Sequence, residues 1–289
     1  MDKTQHIHRY PRALRQWIIQ SLSFVADVNE RNSFSYMIMD HYFDIDSMGL
    51  AMNESREISP AELDNIKGVI RRLKDNEPIQ YIFEEADFYG RKFHVNSNVL
   101  IPRQETELLV DRIIKENQGG KPYILDIGTG SGCIAVSLKI ALKDASVTGM
   151  DVSEDALHCA KSNAARYHAG IHWDKSDILL DDLPAFSCDI IVSNPPYVRE
   201  CEKALMMKNV LDYEPHSALF VSDRDPLVFY FAIAKKGFQA LRTGGRIYLE
   251  INEAFGREVM NVLESEGFVQ IQVLKDLQSK DRIVKGVKR

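Results

Sequence analysis

Cysteine is scarce and unpatterned: four residues, Cys133, Cys159, Cys188 and Cys201, with no CxxC spacing. That argues against zinc ribbons, redox dithiols and a disulfide framework, and it suits a reducing cytoplasm. The eight histidines form no metal-ligand pattern with them, so no metal is expected. Positive charge is not in excess: 36 Lys and Arg stand against 42 Asp and Glu, a formal net charge of −6. This is not the footprint of a protein that lives on nucleic acid. No apolar run approaches membrane-spanning length, and the opening Met1-Asp2-Lys3-Thr4-Gln5-His6 is polar, so no membrane helix or signal peptide is expected. Internal repeats and low-complexity tracts are absent. What is present is a chain of 289 residues, 45% hydrophobic and 27% charged. That supports a sizeable core in one large domain, or one domain plus a smaller one.

The first 85 residues read as a small helical module. Leu14, Trp17, Ile18, Leu22 and Val25 recur at helical spacing, as do Phe34, Ile38, His41 and Tyr42. Ser59-Pro60-Ala61-Glu62 is a helix start, with Ser as N-cap, Pro at the first helical position and Glu three residues on. Asp44 to Glu57 is polar and ambiguous. Packing and gripping a macromolecular substrate are equally open roles for this module. Residues 86–107 read as a β-hairpin linker, with short strands around Phe88-Tyr89, Phe93-His94-Val95 and Val99-Leu100-Ile101. From residue 108 a helix is followed by alternating strands and helices. Tyr123–Ile127, Ser146–Asp151, Ile171–Trp173, Cys188–Ser193 and Gly245–Ile251 are the strands. This predicts a doubly wound, mostly parallel α/β sheet. Val269–Val273 and Arg282–Val287 have no helix between them, so they must pair as a hairpin and add an antiparallel edge.

Two stretches carry the chemistry. In Asn194-Pro195-Pro196-Tyr197 two prolines remove backbone donors at the end of a buried apolar strand. The turn then offers carbonyl acceptors, the Asn194 amide and an aromatic face, a set suited to a planar NH2 group. Two acceptors would aim its nitrogen, and Tyr197 would stack on its plane. The bland alternative is an Asx-Pro turn with a packed tyrosine. Second, Gly128-Thr129-Gly130-Ser131-Gly132 follows the strand Tyr123–Ile127 and opens a helix. Its glycines alternate, whereas a dinucleotide fingerprint needs its third glycine at position 133, which is Cys133. A cofactor pressed close to the backbone without a pyrophosphate fits better. Asp151 can accept both ribose hydroxyls, Asp177 an adenine amino group, and Ile178 can pack on the purine. S-adenosylmethionine has these parts and no phosphate. Direct methyl transfer to an amide needs no side-chain base, since the methylated nitrogen is strongly acidic; Glu107 is as readily an exposed helix acid as a member of the cofactor pocket.

From about Gln80 onward the chain resembles the release-factor glutamine methyltransferases. The resemblance rests on Gln80-Tyr81-Ile82, Phe88-Tyr89-Gly90, Leu100-Ile101-Pro102-Arg103 with Glu105-Thr106-Glu107, Asp126–Gly132, Asp151, Asn194–Tyr197, Tyr213-Glu214-Pro215 and Asp281-Arg282. It implies a seven-stranded Rossmann-like methyltransferase domain over 108–289 and a substrate-recognition role for residues 1–85. It also implies N5-methylation of the glutamine in the Gly-Gly-Gln loop of class-1 peptide chain release factors, with Asn194, Pro195, Pro196 and Tyr197 at that glutamine. Gln104, Glu84-Glu85 and Phe220–Pro226 depart from the family pattern and bear on loop shape. Three other readings remain. An adenine-N6 methyltransferase would use the same turn on a flipped base but would need an electropositive face. A non-catalytic S-adenosylmethionine-binding module would have no need of the intact turn. An NAD-dependent dehydrogenase is disfavoured by the glycine spacing.

Overall fold

The structure, a computed structural model, describes residues 10–53, 56, 58–183 and 187–289. The chain divides after Phe83 into two compact units.

The first unit is helical: α1 (Pro11–Ser21), α2 (Val28–Phe43), α3 (Ser47–Met52), α4 (Pro60–Lys74) and α5 (Ile79–Phe83). Asp27 caps α2 by accepting from Asn29 and Glu30, and Asp46 does the same for α3, so part of the polar segment is helical. The expected Ser59/Glu62 capping box is present at α4, a device that contributes about 1 kcal/mol. Leu14, Ile18, Leu22, Ile38, Met39, Ile66 and Val69 bury together as the core of this unit.

The second unit opens with a hairpin, β1 (Glu85–Phe88) and β2 (Arg91–His94). Tyr89 and Gly90 both have positive φ, 48° and 70°, which gives the two-residue turn that matches strand twist. Phe88 and Phe93 enter the same core as Ile124 and Leu138, so the hairpin is part of this unit. The expected strand at Val99–Ile101 is absent. Val99 and Ile101 are buried as their apolar character demands, but the Ile101 N–H donates to the Glu214 carboxylate (3.2 Å), and the segment runs irregularly into α6 (Gln104–Glu116).

The sheet contains β3 (Tyr123–Ile127), β4 (Ser146–Asp151), β5 (His172–Lys175), β6 (Cys188–Ser193), β9 (Leu241–Glu250), β10 (Phe268–Lys275) and β11 (Asp281–Lys288). Its order is β10-β11-β9-β6-β3-β4-β5. All pairs are parallel except those of β11, which runs antiparallel to both β9 and β10. A short parallel pair, β7 (Val198–Arg199) with β8 (Phe220–Val221), frames an insertion holding α9 (Lys208–Tyr213) and α10 (His216–Leu219). Successive strand residues face opposite sides. Ile124, Ile190 and Tyr248 join a core with α6, α7 (Cys133–Ala141) and α8 (Glu154–Arg166). Leu125, Ile191, Ile247 and Leu249 join the opposite core with α11 (Val228–Ala240) and α12 (Gly256–Ser265). Burial on both faces explains why these strands read as apolar runs. Because β3 is flanked by β4 and β6, the chain turns in opposite directions from this strand. The crevice at such a reversal is where open sheets bind ligands.

Candidate functional site

A cavity of about 310 Å³ lies at that place, over the carboxyl ends of β3, β4 and β6. Its floor is the glycine loop. The Gly128 and Thr129 N–H groups both donate to the Met150 carbonyl (2.9 Å each), and the Thr129 hydroxyl donates to Asp126 (2.6 Å). Gly128 and Gly130 have φ of +70° and +54°, and a Cβ added to either would meet no protein atom within 4 Å. Both positions are therefore bare backbone facing open space. Asp126 is fully buried beneath the loop, and burial pushes it up to about 7. Its role is to hold Thr129.

Asp151 ends β4. Its carboxylate accepts from Gly130 N (2.9 Å) and Ser153 N (2.9 Å), which fixes the loop and the start of α8 together. Burial raises its pKa against these backbone bonds. The Val152 N–H bonds it as well, and since an ionised carboxylate has about four acceptor positions, capacity remains for a ligand hydroxyl. Asp177 and Ile178 line the cavity beyond it, with the Asp177 Oδ1 accepting from Leu179 N (2.8 Å). Phe229 and Ile233 of α11 add an apolar wall. Among the described lining residues the only cation is Arg103, and it is paired with Glu214 at 2.6 Å. Nothing here is arranged to neutralise a phosphate. The donor set fits a nucleoside cofactor with no phosphate.

The Asn194-Pro195-Pro196 turn forms the opposite wall. Ser193 ends β6 and its hydroxyl donates to the Ile127 carbonyl (2.7 Å), fastening the ends of β6 and β3. Asn194, Pro195 and Pro196 then line the cavity. Asn194 Nδ2 donates to Thr106 Oγ1 (3.2 Å), and that hydroxyl donates to Glu250 Oε2 (2.7 Å). Among the described residues no protein donor reaches Asn194 Oδ1 or the Pro195 carbonyl. Glu250 is buried, which pushes it up to about 7, while Thr106, Arg282 and Tyr197 favour its charged form.

The structure thus brings Gly128, Thr129, Gly130, Ser131, Asp151, Asp177, Ile178, Asn194, Pro195 and Pro196 to one cavity. Two expected residues, Gly132 and Tyr197, lie outside the lining, and Glu107 is settled between its two readings. Gly132 does not line the cavity: at φ +77° its added Cβ would lie 3.0 Å from the Ala160 Cβ, so helix packing requires the glycine. Tyr197 does not line it either. Its partly buried ring packs against the core that contains Tyr230, and its hydroxyl donates to Glu250 Oε1 (3.3 Å), so it is braced beside the turn and not among the cavity-lining residues. Glu107 accepts from Tyr89 N (2.9 Å) and braces the hairpin turn. Leu100–Arg103, Thr106 and Pro215 carried the resemblance without a place at the site, and sequence reasoning singled out neither Glu250 nor Ser217 and Ala218. One signal was available: Glu250 is a carboxylate inside the apolar run Ile247–Ile251.

The family description "Methyltransferase small domain" matches residues 103–214, and "PrmC N-terminal domain" matches residues 13–83. A release factor glutamine methyltransferase of Bacteroides thetaiotaomicron is 44% identical, over 93% of this chain and 96% of its own. One from Flavobacterium psychrophilum is 42% identical, over 94% and 96%. Among solved structures, a 16S rRNA N2 G1207 methyltransferase of T. thermophilus, bound to AdoMet and guanosine, superposes with a TM-score of 0.52 at 19% identity. It covers 71% of this chain and 50% of that chain, a likeness of fold.

Proposed function

The chain belongs to the release factor glutamine methyltransferase family, and from that premise we propose that it N5-methylates the glutamine in the Gly-Gly-Gln loop of class-1 peptide chain release factors in the cytoplasm. S-adenosylmethionine would supply an electrophilic methyl group on a sulfonium. Gly128 and Gly130 let that cofactor lie against bare backbone, Asp151 accepts from its ribose, and Asp177 with Ile178 holds the adenine. The substrate amide binds at the turn: one N–H to Asn194 Oδ1, the other to the Pro195 carbonyl. Two fixed acceptors aim the nitrogen and favour the pyramidal geometry it must reach, so the contribution falls on the transition state. We assign the helical unit to gripping the release factor. It exposes Phe24, Val28, Met48 and Met52, side chains large enough to anchor a protein partner.

The observation that carries this is the pair of unengaged acceptors at Asn194 and Pro195 across one cavity from the glycine loop. The test is methyl incorporation from labelled S-adenosylmethionine into a release factor, wild type against a Gln→Ala change in its loop. Only the intact loop should be labelled. Asn194→Ala should lower turnover by roughly 10²–10³, the scale seen when one preorganised hydrogen bond to a transition state is removed. Cofactor affinity should stay. Equal losses in turnover and cofactor affinity would reassign Asn194 to the cofactor.

A further inference from the structure

We infer that Thr106 and Glu250 are positioning residues that fix which way round the Asn194 amide faces. The inference rests on the reading of Asn194 as an acceptor for the substrate amide.

An asparagine amide has two chemically opposite ends of nearly equal size. Only one orientation suits an NH2 substrate: with Oδ1 toward the cavity it accepts, while turned by half a revolution it sets donor against donor. The network behind the turn removes the choice. Thr106 and Glu250 are 2% and 1% exposed, so their hydrogen bonds are made within the protein. In its ionised form Glu250 only accepts, so in that state the Thr106 hydroxyl donates to Oε2 (2.7 Å) and the Tyr197 hydroxyl to Oε1 (3.3 Å). A threonine hydroxyl has one hydrogen. With that hydrogen committed to Glu250, its oxygen presents only lone pairs to Asn194 at 3.2 Å. The Nδ2 end must answer them, and Oδ1 is left facing the cavity. Glu250 is held in turn, its own carbonyl accepting from the Tyr230 hydroxyl (3.1 Å), with Arg282 favouring its charge. The three members of the relay come from α6, the end of β9 and the turn after β6. Neither Thr106 nor Glu250 needs to touch the substrate.

The test compares wild type, Thr106→Val, Thr106→Ser and Asn194→Ala. Readouts are kcat and KM for a release factor, the Kd for S-adenosylmethionine, and the melting temperature. Valine keeps the shape and removes the acceptor, so the Asn194 amide is released to both orientations. Thr106→Val should lower kcat by about 10- to 100-fold, less than Asn194→Ala because the productive orientation is still visited. KM and the cofactor Kd should hold within about threefold, a split that loss of packing alone does not give. Thr106→Ser restores the hydroxyl and should recover most of kcat. Thr106→Ala takes the place of the valine variant should that one not fold. Full kcat in Thr106→Val beside a dead Asn194→Ala would overturn the positioning role and leave the reading of Asn194 intact. A serine variant as slow as the valine one would also overturn it, reducing Thr106 to a packing group. An active Asn194→Ala would remove the premise and the inference together.

Discussion

Gly130 is where the floor of the cavity can be tested against its own geometry. Gly130→Ala adds one methyl at φ +54°, where no protein atom lies within 4 Å. The folded protein can therefore accept the residue without a clash, at the cost of holding alanine in the left-handed region, about 1–2 kcal/mol. In a unit of this size that lowers the melting temperature by roughly 2–4 °C per kcal/mol. Gly90→Ala is the matched control. Gly90 has φ +70° with no neighbour within 4 Å, but it sits at the hairpin turn outside the cavity. Both variants should lose similar stability. Only Gly130→Ala sets its methyl where a ligand must approach the backbone. Overpacking by one methyl costs about 1–3 kcal/mol, so cofactor affinity should fall roughly 5- to 150-fold. Calorimetric titration with S-adenosylmethionine, paired with thermal melts, measures both effects. Unchanged affinity in Gly130→Ala, or an equal fall in Gly90→Ala, would refute the glycine loop as the cofactor floor.

Two further outcomes follow from the buried charges. Asp126 and Glu250 both have folded pKa values raised to about 7 by burial. Raised acids favour folding below their unfolded pKa and lose that contribution as pH climbs through about 4 to 7, so stability should fall across this window. At about 1.36 kcal/mol per unit, Asp126 alone accounts for roughly 4 kcal/mol. Asp126→Asn retains an oxygen for the Thr129 hydroxyl and should flatten the slope in melts at pH 5 and pH 8; an unchanged slope would assign the effect elsewhere. At the Arg103–Glu214 pair the side chains are 33% and 1% exposed. Arg103→Met strands a buried carboxylate and should cost roughly 3 kcal/mol in urea unfolding, whereas Glu214→Gln, which still accepts from Ile101 N and leaves only a half-exposed arginine, should cost clearly less. Equal costs would mean that the pair is solvated.

Local rules determined much of this molecule. Strand Tyr123–Ile127, the alternating glycines, the Ser59/Glu62 box and the hairpin of the last two strands each follow from a few adjacent residues, because conformation and capping act over one to four positions. So did the acids Asp151 and Asp177, since an acid at a strand end points to the crevice by the direction of the chain alone. The Asn194 turn was legible for the same reason: two prolines and a buried strand dictate its exit. Tertiary structure decided what surrounds that turn. Thr106 lies 88 residues before Asn194 and bonds Glu250 across 144 residues, a distance over which spacing carries no information. The apolar Val99–Ile101 read as a strand until Glu214 supplied its backbone partner from another part of the chain. Tyr197 read as either a stacking face or a packed tyrosine, and only the fold seated its ring against the core and its hydroxyl on Glu250. Sequence determines which groups an element can offer, and packing decides which of them remain free for a ligand.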